Sequence, residues 1–349
     1  MANDVLTKRP TGRFGLMHQM WAPTGESDAS FYRRTVTDVV LADQLGFDSV
    51  WIAEHHYVRG GKFFSRVPNA ELFLATLINQ TERIRLATGI KLLILEDPER
   101  TAENLRLLNV LSGNRVIFGL GQGSPDEMGI RTLSSDEKRS SFRTRLQDLA
   151  HYIDGGNLPT GLALTPESTV TVAGTLWIGV RDDVSVAQAA DIGANFIMGE
   201  AELAARQAGY VSGYRSAGGT GEARGARLVC VADTHEQAVA DARLGAHALN
   251  EVFSKGRYHQ EMAELGLMPA TAAVSDDDVF ARLEYAVGTP DEVTAQLTAY
   301  IETTGVNALN IMVHAPGISP ASTGRSMRLF MSEVAPALLP VLTQHDPGS

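Results

Sequence analysis

A carboxylate and two imidazoles follow one another directly after a short apolar segment of this chain. Residues 47–52 are apolar and β-rich, which predicts a strand that is covered on both faces. Glu54, His55 and His56 then stand where that strand ends, and parallel α/β proteins carry their chemistry at such strand ends. Imidazoles titrate near neutral pH, so the triplet is a candidate for acid–base chemistry.

A metal site is the competing interpretation of the same triplet. Adjacent residues of an extended chain point to opposite sides, so the three side chains cannot chelate one ion from a single strand without distortion. No other histidine pair with ligand spacing is obvious in the sequence. The sequence therefore predicts no metal centre.

Composition excludes several classes of protein. The chain has 349 residues with 30 Lys and Arg against 41 Asp and Glu, a net charge of -11, which argues against nucleic-acid and anionic-membrane partners. Cys230 is the only cysteine, which excludes an intramolecular disulfide and a cysteine-based zinc site. No apolar run reaches the ~18 residues of a membrane span, and residues 1–10 lack the apolar core of a signal peptide. A cytoplasmic protein is expected.

Strand and helix patterns alternate along the chain. Eight strands, each followed by a helix, predict a (β/α)₈ barrel, with an open doubly wound sheet as the alternative. The open sheet is less favoured because the first strand carries no glycine-rich phosphate-binding fingerprint. The predicted strands cover 13–18, 47–52, 84–90, 115–121, 176–180, 195–199, 226–232 and 307–313.

Two segments are too long to be simple loops of such a barrel. They cover residues 155–174 and 251–288, and the second carries both basic and acidic groups. We interpret the chain as one domain, 1–349, with two insertions, and the second insertion as a candidate lid near the mouth of the barrel.

Four stretches of the chain together resemble the bacterial luciferase-like family of flavin-dependent monooxygenases. They are GFDSVWIAEHHY, RIRLATG with its following Asp-Pro helix, VIFGLGQGSPDE, and GTPDEVTAQLTAYIETTGVNALNIMV with a closing RLFMSEVAPAL helix. The resemblance covers most of the chain outside the insertions. It implies a (β/α)₈ barrel, which agrees with the strand count.

The resemblance also implies a chemistry. Reduced FMN would lie across the C-terminal mouth of the barrel, and one oxygen atom of O₂ would pass to a small organic substrate. His55 matches the catalytic histidine of the family. Glu54 would orient that imidazole or pair with its proton, or else would satisfy a buried backbone group.

Further site residues follow from the resemblance and from their place at strand ends. The end of strand three matches a family position that bends sharply under the flavin, sometimes with a non-prolyl cis peptide, and His18 is either a site residue or a satisfied core histidine. An apolar or aromatic substrate pocket is expected at Trp21, Tyr57, Phe63 and Met312. The candidate cofactor-binding residues are His18, Thr88, Gly89, Ile90, Gly121, Gln122, Ser124, Arg139, Arg181 and Ser185.

The phosphate of FMN is where the sequence departs from the family. Small hydroxyl residues usually stand at the helix start after strand five, where the helix N-terminus holds an anion. Here Arg181 and Ser185 can serve, but Asp182 and Asp183 would repel a dianion if both faced it. One of the two aspartates is expected to be the N-cap, turned away from the phosphate.

Partners and alternatives complete the hypothesis. No strand–GxGxxG–helix unit for a nicotinamide dinucleotide is present, so a separate NAD(P)H flavin reductase is expected to supply reduced FMN. A homodimer is also expected. Two alternatives remain open, namely a deazaflavin-dependent oxidoreductase of the same fold and a non-catalytic subunit of a luciferase-type assembly.

Overall fold

The computed structural model describes residues 12–22, 25–56, 66–123, 134–253, 263 and 275–347. Its strands are parallel to the strands with which they pair. The strands are β1 Phe14–His18, β2 Ser49–Ile52, β3 Arg85–Leu92, β4 Val116–Gly121, β5 Leu176–Gly179, β6 Asn195–Ile197, β7 Ala223–Val231, β8 Ala286–Gly288 and β9 Ala308–Met312.

Eight of these strands close into a barrel. The hydrogen-bonded order is β6-β5-β4-β3-β2-β1-β9-β7, and β6 also pairs with β7, which joins the two ends of the sheet. Gly15 of β1, for example, pairs with Ser49 of β2 on one side and Asn310 of β9 on the other. The predicted (β/α)₈ barrel is confirmed, and the open sheet is excluded because both end strands are paired.

The helices follow the strands around the outside of the barrel. Asp97 caps the helix Pro98–Ser112 by accepting from the backbone N–H of Glu99 at 3.0 Å, and Pro98 takes the first helical position, as the sequence predicted. Gly46 ends the helix Asp28–Leu45 with a left-handed φ of 88°. The helices are α1 Asp28–Leu45, α2 Ala70–Leu77, α3 Pro98–Ser112, α4 Ser135–Ile153, α5 Val172–Thr175, α6 Asp183–Asp191, α7 Ala204–Ser216, α8 His235–Phe253, α9 Asp276–Arg282, α10 Pro290–Thr304, α11 Pro320–Leu329 and α12 Ala335–Thr343, with a π-helical segment Phe330–Val334 before α12.

The ninth strand, β8, was not predicted. It lies within the 251–288 segment and pairs with the end of β7, where Val229 faces Ala286, so this part of the segment is packed onto the barrel. The sequence analysis missed it because the apolar residues 285–287 fall inside the segment that was interpreted as an insertion. Residues 254–262 and 264–274 of the predicted lid lie outside the described residues.

The other insertion, 155–174, is tied to the barrel by side-chain hydrogen bonds to its backbone. The buried guanidinium of Arg106 on α3 donates to the carbonyls of Leu164 and Pro166, each at 3.1 Å. The Ser168 hydroxyl donates to the carbonyl of Ile153 at 2.6 Å. These contacts fix a segment that has little regular secondary structure of its own.

A buried ion pair lies inside the barrel near the N-terminal ends of the strands. The guanidinium of Arg224 contacts both carboxylate oxygens of Asp48, at 2.7 and 3.1 Å, and lies over the rings of Trp51 and Trp177 at 5.8 and 5.3 Å. Burial disfavours the charge of Asp48, but Arg224 and Arg85 lower the pKa of its carboxyl to about 2. This pair stands opposite the mouth at which the catalytic residues were predicted.

Among the described residues, no helix combines the length and the apolar character that a membrane span requires.

Candidate active site

The structure brings several of the predicted residues to the C-terminal mouth of the barrel. His55 follows β2, Ile90 lies near the end of β3, Gln122 follows β4 and Arg181 follows β5. Each of these four residues is half-buried, whereas the strands that lead to them are almost wholly buried. The four positions therefore line an opening above a closed core, which is where (β/α)₈ enzymes hold their substrates.

Ile90, Gly121 and Gly179 form a surface at this mouth, which we call the ledge. The peptide bond between Gly89 and Ile90 is cis, and the pairing of β3 with β4 shifts register between Thr88 and Lys91. The Ile90 side chain reaches toward β4 and β5, where a Cβ on Gly121 would collide with it and a Cβ on Gly179 would lie only 3.0 Å away. A larger residue at either position would therefore require the Ile90 side chain to move.

The polar group of Thr88 is not directed to the mouth. Its hydroxyl donates to the carbonyl of Gly119 at 2.8 Å, and the side chain is fully buried. Thr88 therefore ties β3 to β4 beneath the ledge, so any contribution to a cofactor would come from its backbone.

Glu54 braces the loop that carries His55. One carboxylate oxygen accepts from the backbone N–H of Ala70 and the other from that of Leu92, each at 3.2 Å. The second oxygen also lies 3.3 Å from Nε2 of His56. Of the two roles that the sequence left open for Glu54, these contacts favour the structural one, because the carboxylate joins the end of β2 to the start of α2 and the end of β3.

A buried lysine beside this brace was missed by the sequence reasoning. The ammonium of Lys91, 1% exposed, lies 2.7 Å from Glu71 and 3.6 Å from Glu96. Burial disfavours its charge, but the carboxylates of Glu71 and Glu54 raise the pKa of Lys91 above its usual value. The available signal was a single charge within the apolar run that ends strand three, since such a charge requires a buried partner.

The loop that carries the candidate catalytic imidazole is also held by its backbone. The N–H of His55 donates to the carbonyl of Val67 at 3.0 Å, and the side chain remains half-buried at the mouth. This hydrogen bond fixes the backbone that carries the imidazole, and a fixed position suits a group that gives or takes a proton.

His18 lies between the barrel and α1, away from the mouth. It is 1% exposed, its Nδ1 accepts from the backbone N–H of Met20 at 3.1 Å, and its ring contacts Phe31 and His314. Burial lowers the pKa of His18 well below its usual value, and His314 and Arg34 add to that effect. The side chains of a strand alternate between its two faces, and that of His18 points outward; we therefore remove it from the predicted cofactor contacts.

His18, Asp38 and His314 form a cluster whose possible ligand atoms lie within 4.8 Å of one another. The donor set does not fit a metal ion as it stands. A neutral His18 that accepts at Nδ1 carries its proton on Nε2, and a protonated nitrogen cannot bind a metal. Nε2 of His314 lies 3.2 Å from Asp38, so the cluster is best described as a hydrogen-bonded group of the core.

The predicted phosphate contacts are placed less favourably than expected. Ser185 is 3% exposed, and its hydroxyl is hydrogen-bonded within the first turn of α6. Arg139 lies on α4 with its side chain 46% exposed and 3.7 Å from Asp136, which is the arrangement of a surface ion pair. Arg181 stands at the mouth, half-buried beside these residues.

The predicted substrate pocket is only partly visible. Met312 is fully buried in the core, as expected for the last residue of a barrel strand, and Trp21 is 6% exposed in the loop after β1. Met312 shares the inward face of β9 with Asn310, and its place on a pocket wall stays a prediction. Tyr57, Phe63 and Ser124, the last a predicted cofactor contact, lie outside the described residues.

The sequence profile of the luciferase-like monooxygenase family matches residues 13–308, and this chain belongs to that family. It is 26% identical to the N-acetyl-S-alkylcysteine monooxygenase of Bacillus subtilis, covering 84% of this chain and 90% of that protein. It is also 26% identical to limonene 1,2-monooxygenase of Rhodococcus erythropolis, and this match covers 93% of this chain and 86% of that protein. A 33% identical match to an uncharacterised protein of Sinorhizobium fredii covers only 38% of either protein.

Solved structures share the fold. The oxygenating constituent of 3,6-diketocamphane monooxygenase from Pseudomonas putida, in complex with FMN, has a TM-score of 0.73 at 21% identity over 93% of this chain and 98% of its own. The coenzyme F420-dependent tetrahydromethanopterin reductase of Methanopyrus kandleri has a TM-score of 0.65 at 17% identity, over 93% of this chain and 99% of its own. The barrel therefore occurs in proteins with FMN and in proteins with a deazaflavin.

Proposed function

We propose that this protein is a flavin-dependent monooxygenase that uses a reduced flavin and O₂ to oxygenate a small organic substrate. The observation that carries the proposal is the half-buried His55 after the end of β2, next to the strand end at which Ile90 lies, in a barrel of the luciferase-like family. The reduced flavin, when bound, supplies the electrons and activates the oxygen. The protein supplies position, exclusion of water and protons.

The residues at the mouth divide this work. Ile90 and the adjacent glycines offer an apolar surface to a planar ring, and Gln122 at the end of β4 lies where the ribityl chain would run. His55 gives or takes a proton at the reacting edge of the ring. Glu54 acts indirectly, because its hydrogen bonds to the N–H groups of Ala70 and Leu92 hold the loop of His55 in place.

We propose an apolar or aromatic substrate. The predicted pocket residues Trp21, Tyr57 and Phe63 are aromatic, and one relative is named for limonene, an apolar substrate. A role in secondary metabolism is part of the same hypothesis. Limonene and an N-acetyl-S-alkylcysteine, named for two relatives, are therefore suitable first probes.

A separate flavin reductase should be required for turnover. The sequence has no dinucleotide-binding glycine unit, and a flavin with its substrate would fill the one mouth of the barrel. The purified protein with NADPH, FMN, ¹⁸O₂ and a probe substrate should form no oxygenated product. Addition of any competent flavin reductase should start incorporation of one ¹⁸O atom, which mass spectrometry detects. We place the system in the cytoplasm, where NAD(P)H is available to the reductase.

Three outcomes would contradict this proposal. Rapid NADPH oxidation by this chain alone would indicate a self-sufficient oxidoreductase. Oxygen-independent hydride transfer from reduced F420, without ¹⁸O incorporation from reduced FMN, would favour the deazaflavin alternative, for which the F420-dependent neighbour provides the structural precedent. A chain that binds neither reduced cofactor would be the non-catalytic subunit.

We further propose a homodimer formed through α2 and α3. Leu107, Val110 and Leu111 form a stripe at helical spacing on α3, each at least half exposed, and Leu72 on the adjacent α2 is 70% exposed. An exposed apolar surface of this kind is typical of an interface. Analytical ultracentrifugation should give twice the chain mass of 37.5 kDa. Leu107→Lys should give a monomer and Leu162→Lys, on the 155–174 insertion, should not; a monomeric wild type at micromolar concentration would contradict the proposal.

A further inference from the structure

The N-terminus of α6, where the sequence places the flavin phosphate, is closed by the protein itself. Oδ1 of Asp182 accepts from the backbone N–H of Ser185 at 2.8 Å, so the N-cap carboxylate occupies the position that a bound anion would take. The Ser185 hydroxyl accepts from the N–H groups of Arg181 and Asp182, at 3.1 and 3.2 Å, and donates to the carbonyl of Asp182 at 2.8 Å. Three backbone N–H groups that could hold a phosphate, those of Arg181, Asp182 and Ser185, are therefore already bonded within the turn.

The charges around this turn also disfavour a dianion. Asp183 stands in the first turn of α6, one residue after the Asp182 carboxylate. Arg181 also interacts electrostatically with the buried carboxyl of Glu202. Burial raises the pKa of Glu202 to about 8, and Arg181 acts against that rise. A phosphate placed here would meet two carboxylates, and it would compete with Asp183 and Glu202 for the nearby cations Arg181 and Arg206.

The described residues therefore fit the ring of the expected FMN but not its phosphate. The ledge of Ile90, Gly121 and Gly179 suits a planar ring, whereas the turn at Asp182 does not suit a phosphate. We propose that this protein binds its flavin through the ring and ribityl chain and gains no affinity from the 5′-phosphate, so that it accepts riboflavin as well as FMN. This inference rests on the proposed flavin-dependent function and specifies the chemical class of its cofactor.

Binding of the two flavins tests the inference without any measurement of activity. Anaerobic calorimetry at pH 7.5, with dithionite-reduced riboflavin and reduced FMN, should give dissociation constants within threefold of one another. FMN binding more than tenfold tighter than riboflavin would overturn the inference while leaving the proposed function intact. If neither reduced riboflavin nor reduced FMN binds, the proposed function and this inference are overturned together.

A gain of phosphate affinity tests the cause. Asp182→Ser keeps an N-cap side chain but removes the negative charge, so the helix N-terminus becomes available to an anion. Reduced FMN should bind this variant about tenfold more tightly than the wild type, and riboflavin should change by less than twofold. The matched control is Asp97→Ser, the same change at the N-cap of α3, which should alter neither constant by more than twofold.

The variants also distinguish this cause from others. Equal tightening of both flavins in Asp182→Ser, or no change in FMN affinity, would show that Asp182 does not exclude the phosphate and would overturn the assignment. Tightening confined to FMN in Asp182→Ser, with the Asp97→Ser protein unchanged, would support it.

Discussion

Replacing His55 with alanine should reduce the rate of oxygenation by about 10²- to 10⁴-fold, the effect of losing an acid–base group, while the protein remains folded. The side chain is half-buried at the mouth, and its loop is held from below by Glu54 and by the carbonyl of Val67. Those restraints involve backbone groups and the neighbouring carboxylate, so they remain in the variant. The loss should therefore appear in kcat more than in the dissociation constant of the flavin.

The measurement is the rate of ¹⁸O incorporation with a flavin reductase in excess, alongside thermal unfolding and calorimetric binding of reduced riboflavin. His235→Ala is the matched control, because His235 is an exposed imidazole on α8, outside the candidate site, where it lies 3.2 Å from Glu292. The control should retain full activity. Wild-type turnover by a folded His55→Ala protein would remove His55 from the mechanism and leave the family assignment unchanged.

The second large effect concerns stability. Asp48→Asn should lower the free energy of unfolding by about 3–5 kcal/mol, because it leaves the guanidinium of Arg224 buried inside the barrel without its main counter-charge. Glu222 remains 2.6 Å from Arg224, but its side chain is 25% exposed and cannot replace the bidentate contact. Urea unfolding at pH 7 measures the difference from the wild type.

Two further variants test whether the loss of stability comes from the unpaired Arg224 or from a general sensitivity to substitution. Asp136→Asn changes a 95% exposed carboxylate in a surface pair and should alter stability by less than about 0.5 kcal/mol. The double variant Asp48→Asn/Arg224→Met removes both charges and should lose less stability than the two single changes added together. A loss below about 1 kcal/mol in Asp48→Asn would contradict the importance of this pair.

The pair of Asp48 and Arg224 also makes the stability of the fold depend on pH. The folded-state pKa of Asp48, about 2, is depressed below the ordinary value of an aspartate. The pair therefore stabilises the fold fully above that ordinary value, and the contribution is lost as the pH falls toward 2. This loss should be absent from the Asp48→Asn/Arg224→Met protein.

Much of the fold was determined by local patterns in the sequence. The apolar runs at the eight barrel strands are continuous because a parallel strand is buried on both faces, and the helix limits at Gly46 and Asp97 follow from backbone conformation and capping. These signals depend on a residue and its close neighbours, so they can be read without the tertiary structure. The short β8 was missed because its few apolar residues lie in a segment that the eight-strand count assigned to an insertion.

The triplet Glu54, His55 and His56 shows which features the sequence determined and which depended on the tertiary structure. Its position at a strand end was determined by the sequence, and so was the presence of acid–base groups at the mouth. The partners of Glu54 were not, because the N–H groups of Ala70 and Leu92 are 16 and 38 residues away along the chain. Only folding brings those groups to the carboxylate.

The remaining differences have the same origin. His18 was a plausible site residue until the structure placed its side chain on the outer face of β1, against α1. Ser185 has the residue type of a phosphate contact, but the conformation of its turn directs the hydroxyl to Arg181 and Asp182. Sequence patterns determine which groups are present and which segments are buried. The tertiary structure decides which hydrogen-bonding partners those groups find, because a buried polar atom bonds to whatever the fold places within about 3 Å of it.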